Sequence, residues 1–148
     1  LQSFLSTCGP GTKVYLGCDS ERVILNNTWY ADYTLAIVIH INGRHGCKIF
    51  GEVHRERDFD QRADRPSMRL MNEVYKVAEL YERIKTLVAP FQPEVHLDIS
   101  ADEMNGSSCV VHQAIGYIIG MCQLTPMIKP RAFAASAAAD RFKSLRVA

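Results

Sequence analysis

The chain reads as a single mixed α/β domain, on three observations. The β-branched run Tyr33–Ile41 has the composition of a central strand. Leu70, Val74, Val77, Tyr81, Ile84 and Val88 recur at three- and four-residue steps, the period of an amphipathic helix. Short apolar runs and helical stretches otherwise alternate in the order β-β-β-α-β-α-β-α, which asks for one sheet of mixed strand direction. A length of 148 residues with 47% hydrophobic content supports one such core. No internal repeat or linker divides the chain.

The first strand, Lys13 to Cys18, follows the Gly9-Pro10-Gly11 turn. Tyr33–Ile41 is the second strand, and Asn42-Gly43 supplies the backbone freedom for a tight hairpin into a third, about Cys47 to Val53. These three form an expected antiparallel meander. From His54 to Pro66 the charges alternate (Arg55, Glu56, Arg57, Asp58, Asp60, Arg62, Asp64, Arg65), as in a solvated loop. Ser67 can cap the long helix, which Pro90 and Pro93 end. The fourth strand is Glu94 to Ile99. After the turn Asn105-Gly106-Ser107-Ser108, Ser107 or Ser108 can cap a helix with Val111, Ile115, Ile118 and Cys122 as its buried stripe. Gly116 and Gly120 within it predict close packing against a neighbour. Leu124 to Ile128, interrupted by Pro126, is the fifth strand and belongs at an edge. An alanine-rich helix from Ala134 to about Leu145 carries Asp140.

A charged fraction of 22% and a net charge of +1 exclude a disordered acidic or basic tail. They leave a nucleic-acid partner open, because basic residues can cluster on one face and metal ions can supply the phosphate-binding charge. The five cysteines (Cys8, Cys18, Cys47, Cys109, Cys122) form no C-x-x-C pair and read as reduced thiols of a cytoplasmic protein. No 18-residue apolar run predicts a transmembrane helix. The start at Leu1, with no signal-peptide pattern, reads as a trimmed product. No P-loop or G-x-G-x-x-G points to a nucleotide cofactor, and Ser107 and Ser108 lack the base and acid of a serine hydrolase nearby in sequence.

Chemistry concentrates in the acids. Asp19 ends the strand Val14-Tyr15-Leu16-Gly17-Cys18, and Asp98 lies within Val95-His96-Leu97-Asp98-Ile99-Ser100. A carboxylate at a strand end costs desolvation energy unless hydrogen bonds or a cation offset it. On neighbouring strands the two could converge within about 4–5 Å across a magnesium or manganese position. Asp19 also fits as a turn residue, whereas Leu97 and Ile99 place Asp98 too deep for a casual surface charge. Glu73 falls about 40° from Val77 on the helical wheel, at the edge of the buried face, and reads as a ligand or a solvated edge residue. Asp140 follows three small alanines that allow close approach to the sheet; a surface pair with Arg141 or Lys143 is the other reading. Lys129, Arg131, Arg141, Lys143 and Arg146 could contact phosphates or form a solvated face. His96, on Asp98's side of the strand, and His112 are zinc ligands, proton shuttles or structural histidines. His40, His45 and His54 lack metal-ligand spacing.

Three stretches carry a family resemblance: Gly17-Cys18-Asp19-Ser20; His96-Leu97-Asp98-Ile99 with Asn105-Gly106-Ser107-Ser108; and Ile128-Lys129-Pro130 with Ala134-Ala135-Ser136-Ala137-Ala138-Ala139-Asp140. With Arg69-Leu70-Met71-Asn72-Glu73 they span about Lys13 to Lys143. In order and spacing they resemble the YkuK-type family of ribonuclease H-like nucleases. The resemblance implies a mixed five-stranded sheet with helices on both faces. It also implies a two-metal nuclease acting on RNA, an RNA–DNA hybrid or structured DNA, with Mg2+ or Mn2+ held by Asp19, Glu73, Asp98 and Asp140. Asp19 would bridge the ions, and no protein nucleophile is needed. Lys129, Arg131, Arg141 and Lys143 would bind the nucleic acid. The long connection from Asp19 to Asp32, with Arg22, Asn26, Asn27 and Trp29, is expected to cover the site. A non-catalytic nucleic-acid-binding protein and a hydrolase of a small phosphorylated molecule are the alternatives. Oligomeric state stays open, although the Tyr33–Ile41 strand would invite association if it were exposed.

Overall fold

The computed structural model describes residues 1–43, 46–60 and 66–147. His45, Arg62, Asp64 and Arg65 lie outside the described residues. Strand β1 (Lys13–Leu25) and strand β2 (Thr28–His40) form an antiparallel hairpin, in which Lys13 pairs with His40 and Leu25 with Thr28. Its two-residue turn is Asn26 (φ 50°) and Asn27 (φ 60°), both left-handed, as a type I′ turn requires. The expected covering loop between Asp19 and Asp32 is therefore strand. Strand β3 (Cys47–Arg57) pairs antiparallel with β2, and β4 (Glu94–Leu97) runs parallel to β1. The order β3-β2-β1-β4 puts the apolar β2 inside the sheet, paired on both sides.

The sheet has four strands, not five. Leu124–Ile128 contributes only a parallel bridge between His96 and Met127. Met127 donates its N–H to Val95 (2.9 Å) and accepts from Leu97 (2.8 Å). The ladder goes no further because Lys129 donates its N–H to Ile99 (3.0 Å), not to Leu97 as a continuing parallel register would require.

Helix α1 (Gln2–Leu5) has no counterpart in the sequence reading; α2 spans Ser67–Val88, α3 Val111–Cys122 and α4 Ala139–Val147. The alanine run before α4 forms a π-helical turn, Ala134–Ala138. Neither predicted serine cap forms. Asp60 accepts from the backbone N–H of Met68 (3.0 Å) and Arg69 (2.7 Å), closing α2 from a distance. Asn105 accepts from Ser107 N–H (3.0 Å) ahead of α3.

Strand alternation sorts β1 between two layers. Val14, Leu16 and Cys18 join the main core with Val74, Val77 and Ala78 of α2 and with Ala114 and Ile118 of α3. Tyr15 faces the other way, into a smaller cluster with Ala36, Val38, Ala134 and Ala138. Helical structure thus covers both faces. Val14, Leu16, Val77, Val88 and Val95 are wholly buried, each worth about 1.5–3 kcal/mol of transfer free energy. The tightest approach is at Gly17, where a Cβ would stand 2.5 Å from Ala135 Cα. Gly116 and Gly120, expected to mark close packing, instead have nothing within 4 Å of a built Cβ.

Candidate acidic site on adjacent parallel strands

In the parallel β1–β4 register, Gly17 pairs with His96 and Cys18 with Leu97. Asp19 and Asp98 come next on the two strands, side by side and on one face. Asp98 lies one residue beyond β4, so its carboxylate escapes the core that receives Leu97 and Ile99. Asp140 opens α4, and its side chain is 70% exposed. Lys143, one turn later, places Nζ 3.4 Å from Asp19, 3.6 Å from Glu21 and 3.6 Å from Asp140. Lys129 Nζ lies 2.8 Å from Asp98.

The carboxylates act on one another. Burial raises the pKa of Asp19, Lys143 pulls it back, and the charges of Asp98 and Asp140 push it up again. Beside Asp19, its cross-strand partner Thr34 is fully buried, and among the described residues its Oγ1 has no hydrogen-bond partner.

Glu73 stands apart from these three. It is buried at 4% exposure, which rules out the solvated-edge reading, and Ser20 Oγ donates to its Oε1. Arg69 Nη1 donates to Ser20 Oγ (2.8 Å) and to the Ser20 carbonyl (3.0 Å). Alternation along β1 puts Ser20 on the face opposite Asp19, so Glu73 meets the strand from the core side. Burial pushes its pKa up to about 8; the Ser20 hydrogen bond opposes this, and the nearby Asp19 charge adds to it. The carboxyl is mainly protonated at neutral pH.

The basic residues divide into two kinds. Lys129 and Lys143 are engaged by the acids, whereas Arg131 and Arg141 are exposed, with no carboxylate partner among the described residues. The side chain of Arg146 lies outside the described residues. His96 is structural. Its Nδ1 accepts from the N–H groups of Phe133 (3.1 Å) and Ala134 (3.3 Å), and its Nε2 lies 3.2 Å from Glu94. Burial lowers its pKa, in keeping with a neutral ring that holds the start of the π-helical turn. His112 is exposed. Arg22 stacks on Trp29 at 4.2 Å and pairs with Asp58 at 2.5 Å; by alternation it lies on the face opposite Asp19 and does not cover it.

The expected Asp140–Lys143 pair forms, but sequence reasoning missed the contacts of Lys143 with Asp19 and Glu21 and the parts played by Ser20 and Thr34. The Asn26-Asn27 pair was the available signal. Read as a hairpin turn, it extends β1 past Asp19 and puts Asp19 and Glu21 on one face.

Among the described residues, no three His, Cys, Asp or Glu side chains converge as a preformed metal cage. The donor chemistry nevertheless fits a hard cation. Asp19, Asp98 and Asp140 offer only carboxylate oxygen, and beside Asp19 the Thr34 hydroxyl has no partner among the described residues. A mixed sheet with helices on both faces defines an α/β fold, here with Asp19 and Asp98 side by side on adjacent parallel strands. The chain belongs to the ribonuclease H-like family, whose model matches residues 4–144. Comparison with curated proteins and with solved structures finds no match.

Proposed function

We propose that this chain is a divalent-metal-dependent phosphodiesterase acting on nucleic acid. The observation that carries the reading is the pairing of Asp19, within β1, with Asp98, just beyond β4, on adjacent parallel strands of a ribonuclease H-like chain. Bound there, Mg2+ or Mn2+ would activate a water and stabilise charge on the leaving oxygen. Asp19 and Asp98 hold the ion through carboxylate oxygens, and Asp140 lies alongside. Arg131 and Arg141, exposed at either end of the 131–141 segment, bind phosphates of the substrate. Glu73 acts from behind β1, fixing Ser20 and therefore the path of the strand at Asp19.

The test is cleavage of RNA, an RNA–DNA hybrid and structured DNA with Mg2+ or Mn2+. Turnover should vanish with chelator and in Asp19→Asn and Asp98→Asn, while circular dichroism stays unchanged. Normal cleavage by folded Asn variants would refute the proposal.

A second reading, nucleic-acid binding without catalysis, gains support from the lysines already seated on Asp98 and Asp19. It expects binding that survives both Asn substitutions, with no cleavage by the wild type. Hydrolysis of a small phosphorylated molecule draws no such support. A cavity of about 310 Å³ is lined by Ser67, Met68, Met71, Asn72, Tyr75 and Gln113, away from the three aspartates.

A further inference from the structure

We infer that Lys143 is a built-in cation of the acidic site, filling its Asp19–Asp140 side, so that the chain takes one divalent ion, on the Asp19–Asp98 side. The inference rests on the metal-dependent reading above and departs from the two ions that the family resemblance implied.

Three observations carry it. First, Lys143 meets carboxylates from two elements at once, Asp19 and Glu21 of β1 and Asp140 of α4, at 3.4–3.6 Å. An ammonium is a compact point charge with three donors, suited to such a cluster. Second, it is held in place. Its side chain is 21% exposed, and the neighbouring Phe142 ring lies so close to Gly51 of β3 that a Cβ there would stand 2.8 Å from it. Lys129, by contrast, is 42% exposed and meets Asp98 alone, so a metal ion can displace it by a swing of one surface side chain. Third, the charges suit one ion. With Lys129 swung away, Asp19, Glu21, Asp98 and Asp140 set four negative charges against the Lys143 ammonium. One divalent ion leaves a single negative charge; a second would reverse the sign of the site. Asp140, 70% exposed and already paired with Lys143, is free to hold an ion only if that lysine leaves.

The experiment is titration of the protein with Mn2+ alone. Free Mn2+ is followed by its electron paramagnetic resonance signal, and stoichiometry is checked by calorimetry. Wild type and Lys143→Arg should bind one equivalent, and Lys143→Met should bind two. Asp140→Asn should keep the single wild-type equivalent with affinity changed less than threefold, and Asp98→Asn should lose it. The Asp140→Asn and Asp98→Asn arms stand even if Lys143→Met does not fold. Two equivalents in the wild type would overturn the inference and leave the metal-dependent function standing, as would a single equivalent in folded Lys143→Met. No binding by any of these proteins would overturn both.

Discussion

Replacing Gly17 with alanine tests the contact that brings the final helical segment onto the sheet. A Cβ at that position would stand 2.5 Å from Ala135 Cα and 2.6 Å from Ala134 C. Carbon atoms in contact prefer about 3.5–4.0 Å, so the π-helical turn would have to retreat by about 1 Å. Both sides of the clash are backbone, and no side chain can rotate away. Overpacking a core usually costs about 1–3 kcal/mol, and this case falls at or above the upper end. The entropy recovered by removing a strand glycine, about 0.5–1 kcal/mol, offsets little of it. Gly116→Ala is the matched control. It lies exposed within α3 with open space around it, so alanine should stabilise by about 0.5–1 kcal/mol. Urea unfolding followed by far-ultraviolet circular dichroism gives both values by linear extrapolation. The two substitutions should move stability in opposite directions. Equal stability of Gly17→Ala and wild type, or a loss in Gly116→Ala, would refute the reasoning.

Two further outcomes are expected. The folded pKa of Glu73 is raised from 4.5 to about 8, so the native state keeps a proton that the unfolded chain releases across that window. Its contribution is fully present below pH 4.5 and is lost as pH rises toward 8, with a slope of up to about 1.4 kcal/mol per pH unit. In chelator, Glu73→Gln should flatten that slope; a slope identical to wild type would show that Glu73 is already ionised in the fold. Arg131→Gln with Arg141→Gln should weaken nucleic-acid binding across sequences and reduce the salt slope of log K by about 1.4–1.8. An unchanged slope measured over a range of salt concentrations would remove both residues from the interface.

The fold was legible where local pattern and tertiary demand agree. The 3.6-residue stripe of α2 and the β-branched run of β2 are written in consecutive residues and needed no partner to be read. The alternation that buries Val14, Leu16 and Cys18 likewise implied a strand ending near an acid. Where the reading failed, the deciding partner was distant in sequence. Asp60 caps α2 from outside the helix, in place of the adjacent Ser67. The fifth strand is limited to one bridge because Lys129 pairs with Ile99 and not Leu97, a matter of register with β4. Gly116 and Gly120 suggested packing because helix propensity is poor there, yet the glycine that packing requires is Gly17.

The acids divide in the same way. The sequence by itself determined that Asp19 and Asp98 follow apolar strand residues; the expected strand end at Asp19 is not one, because β1 runs on through the hairpin to Leu25, and only Asp98 lies beyond its strand. Only the tertiary structure made the two strands adjacent and parallel, since register is a property of two segments and not of either. The long stem of Lys143, fixed by where α4 docks, sets it among Asp19, Glu21 and Asp140 rather than at a free surface. Glu73, read from the sequence as a ligand or a solvated edge residue, is buried instead of solvated and accepts a hydrogen bond from Ser20, 53 residues away along the chain; burial raises its pKa. Charge at this site depends on distance and burial, and both are set by packing; residue identity determines only which groups are available to be charged.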